Sequence, residues 1–248
     1  MKSLSIKTQL IIFLSIFAGY ISIIHKDIAF LSTTLIAVIS AVFLDSFITY
    51  LKTEHFAITD SSVISGLIIG YVISSGEPWW KFLFASIFAI GSKHLIRIKN
   101  KQLFNPAAFG VFLSTLLLGA STQWKGTYLW YIIVLVGFYF VYKIKKIEII
   151  IGYAIIFFLF FGTQAVLQKV PFVNIFGYLS YFYIFVMLIE PKTTPIKATA
   201  KFIFGSGVAA LIFILTEAGL KYDVELLSLL IMNGTVPLLN KLPYRQGG

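Results

Sequence analysis

The stretch KHLIRIKNKQLFNPAAFG, from Lys93 to Gly110, contains the strongest local structural signal in the chain. Five Lys, Arg or His residues fall within its first nine positions, and an Asn-Pro pair then opens a run of small and apolar side chains. Asn105 suits the N-cap of a helix, and Pro106 suits the first helical position. The stretch therefore predicts a basic loop at a membrane surface, followed by a helix that begins abruptly inside an apolar region.

The composition around this stretch is that of a membrane protein. Of the 248 residues, 58% are hydrophobic and only 12% are charged, whereas a soluble domain carries about 25% charged residues. Apolar runs long enough to cross roughly 30 Å of hydrocarbon recur along the chain. We therefore predict an all-α polytopic membrane protein with a single transmembrane domain over residues 1–248. Because cysteine is absent, disulfides and iron–sulfur clusters held by the chain's own thiolates are excluded.

The apolar runs predict ten transmembrane segments, of which the first is interpreted as a helix because it lacks the A-x-A cleavage pattern of a signal peptide. With the N-terminus inside, 15 of the 20 Lys and Arg residues fall in inside loops and tails, and 5 fall in outside loops. This bias predicts a multi-pass protein of the inner (cytoplasmic) membrane with both termini cytoplasmic. It also accounts for the net charge of +10, so no nucleic-acid partner is expected. The predicted segments are residues 8–24, 28–50, 60–76, 79–97, 105–120, 127–143, 147–167, 173–189, 198–217 and 224–241.

Ten segments divide into two sets of five, and an odd number in each set makes the two sets run in opposite senses. We therefore predict two inverted halves, residues 1–122 and 123–248. The third and fifth segments are short and interrupted by Gly or Pro. So are the eighth, which ends at Glu190-Pro191, and the tenth, which contains MNGTVP at residues 232–237. Short or broken segments at matching positions in two halves indicate a central binding site.

A stripe of small residues runs along the third segment. Ser62, Gly66, Gly70 and Ser74 follow one another at four-residue spacing, so they share one helical face. Such a face allows close approach of either another helix or a flat ring, and the spacing alone leaves both open. Asp60 is the expected N-cap of this helix and could also contact a ligand.

The stretch EPKTTPIKATAKFIFGSG, residues Glu190 to Gly207, connects two predicted segments. Its prolines force an extended connection. Lys197 and Lys201 then lie one turn apart on the same helical face. A helix start with nearby lysines and threonines suits a phosphate or another anion, and it equally suits lipid headgroups.

Other ionisable residues carry weaker signals. Asp45 lies near the inside end of the second segment, where it is either a functional acid or the partner of a polar neighbour. His25, His55 and His94 share no spacing that would place two of them on one helix, so no metal or haem site is predicted.

Four stretches, taken together and in this order, resemble the membrane subunit family that includes RnfD and NqrB, parts of the Rnf and Na⁺-translocating NADH:quinone reductase complexes. The resemblance implies ten helices in two inverted halves, a flavin (FMN or riboflavin) bound in the membrane domain, and electron transfer with other membrane and peripheral subunits of an electron-transport complex. The four stretches are DSSVISGLIIG (Asp60–Gly70), FNPAAFG (Phe104–Gly110), EPKTTPIKATAKFIFG (Glu190–Gly205) and LLIMNGTVPLLN (Leu229–Asn240). The residues that it implies for the flavin site are Asp60, Ser62, Ser65, Gly66, Asn105, Pro106, Thr193, Thr194, Lys197 and Asn233; no catalytic residue is implied.

The chain departs from this family at the outer loop between the fifth and sixth segments. Members with covalent FMN attach it to a Thr in an S-G-A-T type motif. The loop here reads GASTQWKGT, with Leu118 before Gly119, and only Ser121 and Thr122 echo the motif. A non-covalent flavin is therefore expected. Two other functions stay open: a small-solute transporter or channel, since inverted repeats with broken helices also serve transport, and a structural assembly subunit.

Overall fold

The computed structural model describes residues 4–242, which form helices joined by short loops. A hairpin of β1 (Arg97–Ile98) and β2 (Lys101–Gln102) lies between the fourth and fifth helices. A 3₁₀-helix, Lys125–Leu129, precedes the sixth helix. A 3₁₀-helix, Phe172–Tyr178, and a π-helix, Tyr183–Met187, lie between the seventh and eighth. The α-helices in this part of the chain are α1 (Ile6–Ile24), α2 (Ile28–Thr53), α3 (Asp60–Val72), α4 (Trp79–Leu95), α5 (Pro106–Leu118), α6 (Trp130–Lys143), α7 (Ile147–Leu167), α8 (Ala198–Glu217) and α9 (Val224–Leu239).

Each of the ten predicted segments corresponds to helical structure, so the prediction of an all-α polytopic membrane protein is confirmed. Five helical stretches are long and apolar enough to cross a membrane: α1, α2, α6 with the 3₁₀-helix before it, α7 and α8. Helices α3, α5 and α9 are apolar but shorter. At about 1.5 Å per residue, the 13 residues of α3 or α5 reach only part of the way across roughly 30 Å of hydrocarbon.

The eighth predicted segment is broken, as expected, but the tenth is not. Helix α9 runs without interruption through Asn233 and Gly234 to Leu239, with Pro237 inside it. Pro237 lacks the N–H group that would bond to the carbonyl of Asn233. Because Pro237 lies only two residues before the last helical residue, Leu239, this loss falls in the last turn, where the N–H of Asn240 still reaches the carbonyl of Val236 at 3.0 Å. The predicted interruption at MNGTVP is therefore wrong.

The chain folds into two compact units. The first unit consists of residues 4–97 and 106–130, and the second of residues 98–105 and 131–242. The predicted boundary between the two halves lies after residue 122. In the structure the chain passes from the first unit to the second after residue 130, and residues 98–105 also belong to the second unit.

Glycines allow the closest helix contacts inside each unit. In the first unit a Cβ atom added to Gly66 would lie 2.5 Å from the Cα of Val38 on α2. In the second unit a Cβ added to Gly205 on α8 would lie 2.1 Å from the carbonyl oxygen of Ile149 on α7. Backbones that pack this closely leave no space for any side chain, which explains glycine at both positions.

Candidate functional site

The second unit contains a buried group of hydrogen-bonded residues that we call the asparagine cluster: Asn105, Met187, Thr193 and Asn233. The Oδ1 atom of Asn233 on α9 accepts the backbone N–H of Asn105 at 2.9 Å. The Nδ2 atom of Asn233 donates to the carbonyl oxygen of Thr193 at 3.0 Å. The Nδ2 atom of Asn105 donates to the carbonyl oxygen of Met187 at 3.3 Å, at the end of the π-helix. The cluster therefore joins three of the four stretches on which the family resemblance rests.

The turn that begins at Glu190 is held next to this cluster by its own polar groups. Gln102 donates from Nε2 to Glu190 Oε1 at 2.8 Å, and the hydroxyl of Thr193 donates to Glu190 Oε2 at 3.3 Å. The hydroxyl of Thr194 donates to the carbonyl oxygen of Glu190 at 2.7 Å. Thr193 and Thr194 are both buried. The structure thus brings together Asn105, Thr193, Thr194 and Asn233 out of the predicted site residues.

Three lysines near this turn, Lys146, Lys197 and Lys201, bond to backbone carbonyls. Lys197 donates to the carbonyl of Leu242, and Lys201 donates to the carbonyl of Lys145 at 2.7 Å. Lys146 donates to the carbonyl of Pro195 at 2.7 Å. Burial, with a smaller contribution from the charge of Lys201, lowers the pKa of Lys146 to about 8 despite the opposing Glu148. These contacts favour a structural role for the lysines; a role of Lys197 in holding a charged ligand stays a prediction.

The start of α3 in the first unit differs by one residue from the prediction. Thr59, not Asp60, is the N-cap, and its side chain accepts the backbone N–H of Ser62 at 3.2 Å. Asp60 is the first helical residue, where a carboxylate is favourable near the positive end of the helix dipole. A threonine is an accepted N-cap residue, and the prediction of Asp60 as the N-cap is wrong by one residue.

The small-residue face of α3 packs against α2 in the structure. Besides the contact of Gly66 with Val38, a Cβ added to Gly70 would lie 2.4 Å from Thr34 Oγ1. The hydroxyl of Ser65 donates to the carbonyl of Ser61 at 2.9 Å, within the same helix. Helix packing is therefore what occupies this face, and a ring beside Gly66 would have to displace α2.

Pro106 is the first residue of α5, as predicted. The small residues after it serve helix packing within the first unit. A Cβ added to Gly110 would lie 2.3 Å from the carbonyl oxygen of Ala85 on α4. The abrupt start and slim first turns of α5 therefore allow the close pairing of α5 with α4.

The sequence left open whether Asp45 is a functional acid or the partner of a polar neighbour, and the structure shows three polar neighbours bonded to it. Asp45 is fully buried, and Lys93 Nζ lies 2.8 Å from each of its carboxylate oxygens. The Nε2 atom of His94 lies 2.7 Å from Oδ1, and the hydroxyl of Thr59 donates to Oδ2 at 2.6 Å. The sequence pattern places Lys93 and His94 in the basic loop at the membrane surface. The available signal was that Asp45 and Lys93 both lie near the inside ends of their predicted segments, and so at similar membrane depth.

The two residues of the partial flavinylation motif hold the outer loops of the first unit. Glu77 Oε1 accepts both the backbone N–H and the hydroxyl of Ser121 at 2.7 Å, and Lys81 lies 2.6 Å from Glu77 Oε2. Burial raises the pKa of Glu77, but the hydrogen bonds from Lys81 and Ser121 outweigh it and hold this pKa below its usual value. Thr122 pairs with Ile73 in an isolated β-bridge.

A cavity of about 650 Å³ lies in the second unit where α7 ends and α9 begins. We call it the α7–α9 cavity. Phe157 and Phe161 from α7, Tyr178 from the 3₁₀-helix, and the carboxylate residues Asp223 and Glu225 contribute to its lining. None of these residues had been singled out from the sequence, because their spacing along the chain matches no known motif.

Comparison with known protein families gives one match that covers nearly the whole chain. The model of the NQR2, RnfD, RnfE family matches residues 2–128 and again residues 113–246. Two matches to one model, one in each half, agree with the repeat predicted from the segment pattern. A comparison with curated proteins found no match.

Proposed function

Since the chain belongs to the NQR2, RnfD, RnfE family, a family of membrane subunits of Rnf- and NQR-type complexes, we propose that it is an integral electron-transfer subunit that binds a flavin. The flavin is riboflavin or FMN and is held without a covalent bond. The chain works with other membrane and peripheral subunits of an electron-transport complex.

The observation that carries this proposal is the asparagine cluster. Three stretches that are far apart in the sequence meet there through Asn105, Thr193 and Asn233. The carbonyl and N–H groups at the edge of a flavin ring match neutral amide and hydroxyl groups. A carbonyl oxygen has two lone pairs and an amide nitrogen has two donors, so the side chain of Asn233, which makes one bond at Oδ1 and one at Nδ2, has the chemistry for a further bond at each end. This amide chemistry supports the edge of a flavin ring as the ligand of the cluster.

In this function the flavin supplies the redox chemistry, and the protein supplies binding, orientation and electrostatics. Asn105, Thr193, Thr194 and Asn233 would hold the ring edge, in surroundings that exclude water because all four residues are buried. A buried, water-poor site strengthens each hydrogen bond to the ring and so shifts its reduction potential. Asp60, Ser62, Ser65, Gly66 and Pro106, which lie in the first unit, stay predictions.

Non-covalent attachment is supported by the contacts of the partial motif. The hydroxyl of Ser121 is bonded to Glu77, and the backbone of Thr122 is fixed by its bridge to Ile73. Both residues thus have structural roles that do not require a flavin.

The test is the visible spectrum of the chain purified in mild detergent, recorded before and after denaturation. A yellow chromophore that leaves the denatured polypeptide is expected. Asn233→Ala should reduce the flavin content, because it removes two hydrogen bonds of the asparagine cluster. Asn174→Ala is the control, since Asn174 lies in the same unit but is exposed, and it should keep the flavin. Chromophore retained on the denatured chain would contradict the non-covalent assignment, and colourless folded protein would contradict the function.

One observation favours the alternative of a small-solute transporter. The α7–α9 cavity has a volume within the range of about 300–1,000 Å³ that is typical of small-molecule sites. Colourless protein that carries out uptake in liposomes would support that function over electron transfer.

A further inference from the structure

The α7–α9 cavity has an unusual charge for this protein. The chain contains 20 Lys and Arg residues but only 10 Asp and Glu residues. Nevertheless, two of those acidic residues, Asp223 and Glu225, line the cavity, and no basic residue of the described chain does. A third acid, Glu217, accepts a hydrogen bond at 2.5 Å from Gln164, which is also in the lining. Among the charged side chains of the described residues, the cavity is therefore lined by acidic ones alone, in a chain that is otherwise rich in basic residues.

Glu225 is not paired with a cation in the part of the chain that the structure describes. Within residues 4–242 it forms no ion pair. The lysines nearest in sequence to the lining, Lys169 and Lys221, have exposed side chains, so solvent screens their charge. Asp223 differs, because its Oδ1 accepts the backbone N–H of Leu226 as the N-cap of α9. A carboxylate in a partly apolar cavity is costly to keep charged unless a cation approaches it.

Most of the remaining wall is aromatic or aliphatic. Phe157, Phe161 and Tyr178 line the same cavity as Asp223 and Glu225. Aromatic faces attract cations, most strongly where water is excluded. A small metal ion would use only the carboxylates and leave the apolar wall unfilled, whereas an organic cation with an apolar body would fill both parts.

We propose that the α7–α9 cavity binds an organic ammonium ion, with the charged group against Glu225 and Asp223 and its apolar body against the aromatic wall. The polar side chains Gln164, Gln168 and Thr216 in the lining provide acceptors for the remaining N–H groups. The ammonium group has two natural sources, the headgroup of an aminophospholipid or a free amine. The inference does not depend on flavin binding.

The test is a fluorescence titration of the full chain in the uncharged detergent dodecyl maltoside, with ethidium as the cationic aromatic probe. Saturable binding is expected, and Glu225→Gln should weaken it at least tenfold. Glu54→Gln is the matched control, because it removes an equal charge from an exposed position at the end of α2, and it should bind ethidium like the unaltered chain. The absence of saturable binding, or unchanged affinity in Glu225→Gln, would overturn the proposal.

A second measurement needs no variant and so holds even if Glu225→Gln fails to fold. In the unaltered chain, 2-phenylethylamine should displace ethidium, whereas its neutral counterpart 2-phenylethanol should not. Displacement by phosphatidylethanolamine but not by phosphatidylglycerol would identify a lipid headgroup as the source of the ammonium, and displacement by the soluble amine alone would identify a free amine. Equal displacement by the amine and the alcohol, or displacement by no ammonium compound, would overturn the proposal.

Discussion

Replacement of Asp45 by Asn should destabilise the protein strongly, because it leaves a buried cation without its partner. Asp45 is fully buried, and each of its two carboxylate oxygens accepts a hydrogen bond from Lys93 Nζ at 2.8 Å. Loss of one member of a buried ion pair costs about 3–5 kcal/mol. The side chain of Lys93 is 12% exposed and can turn toward the membrane surface, so we expect the lower end, about 3 kcal/mol. For a chain of this size that corresponds to a fall in melting temperature of about 6–12 °C.

The assay is thermal unfolding in detergent of three variants: Asp45→Asn, Lys93→Met and the double variant. Removal of both partners leaves no uncompensated charge, so the double variant should be more stable than Asp45→Asn alone. The reasoning is refuted if Asp45→Asn melts at the temperature of the unaltered chain. It is refuted equally if the double variant loses the full sum of the two single effects, since the pair would then contribute no coupling.

Three further predictions concern packing, pH and topology. Gly205→Ala should destabilise the protein by about 1–3 kcal/mol through overpacking. Gly91→Ala should instead stabilise it by about 0.5–1 kcal/mol, because no atom lies within 4 Å of the added Cβ. Equal melting temperatures of the two variants would contradict this prediction. Because the pKa of Lys146 falls from 10.5 to about 8 on folding, the unfolded chain binds more protons between these values, so stability should rise with pH across that window. Lys146→Met should flatten the rise, and an unchanged slope would remove Lys146 as its cause. A reporter fused after Gly248 should read cytoplasmic; a periplasmic reading would remove one crossing.

Local signals in the sequence located most of the helices. The first residue of α5 was predicted correctly from Pro106, because the first position of a helix accepts a proline and later positions do not. Apolar runs located the long helices, since their length is set by the bilayer. Pro237 led to the wrong prediction of an interrupted helix. A proline disrupts a helix according to how many turns follow it, and in α9 less than one turn follows Pro237.

Contacts between distant residues could not be predicted in the same way. The four-residue spacing of Gly66 and Gly70 would be the same whether the neighbour of this face were a helix or a flat ring. Only the structure shows that the neighbour is α2. Asp45 and Lys93 are 48 positions apart, and no periodicity connects them. Asn233 was named from the resemblance, but its two hydrogen-bond partners depend on how the turn after Glu190 is folded. The sequence therefore singled out Asn233 but could not predict the residues that it contacts.

The irregular segment between α7 and α8 connects the two candidate sites of the second unit. Tyr178, at the end of its 3₁₀-helix, lines the α7–α9 cavity, and Met187, at the end of its π-helix, accepts the bond from Asn105. π-Helical turns occur frequently at functional sites, and irregular backbone at membrane depth is tolerated only where protein or a cavity surrounds it. Residues 183–187 are all buried, which satisfies that condition.

This connection predicts that a change at one site alters the other. Asn105→Ala removes the side-chain donor to the carbonyl of Met187, so the π-helix loses a contact that holds its irregular form. We therefore expect this variant to lower both the flavin content and the affinity for ethidium, although Asn105 does not line the cavity. Loss of flavin with unchanged ethidium binding would show that the segment is rigid and that the two sites are independent. Parallel loss, in protein that still melts cooperatively, would identify residues 178–187 as the element that couples an ammonium site at one end of the second unit to a redox site within it.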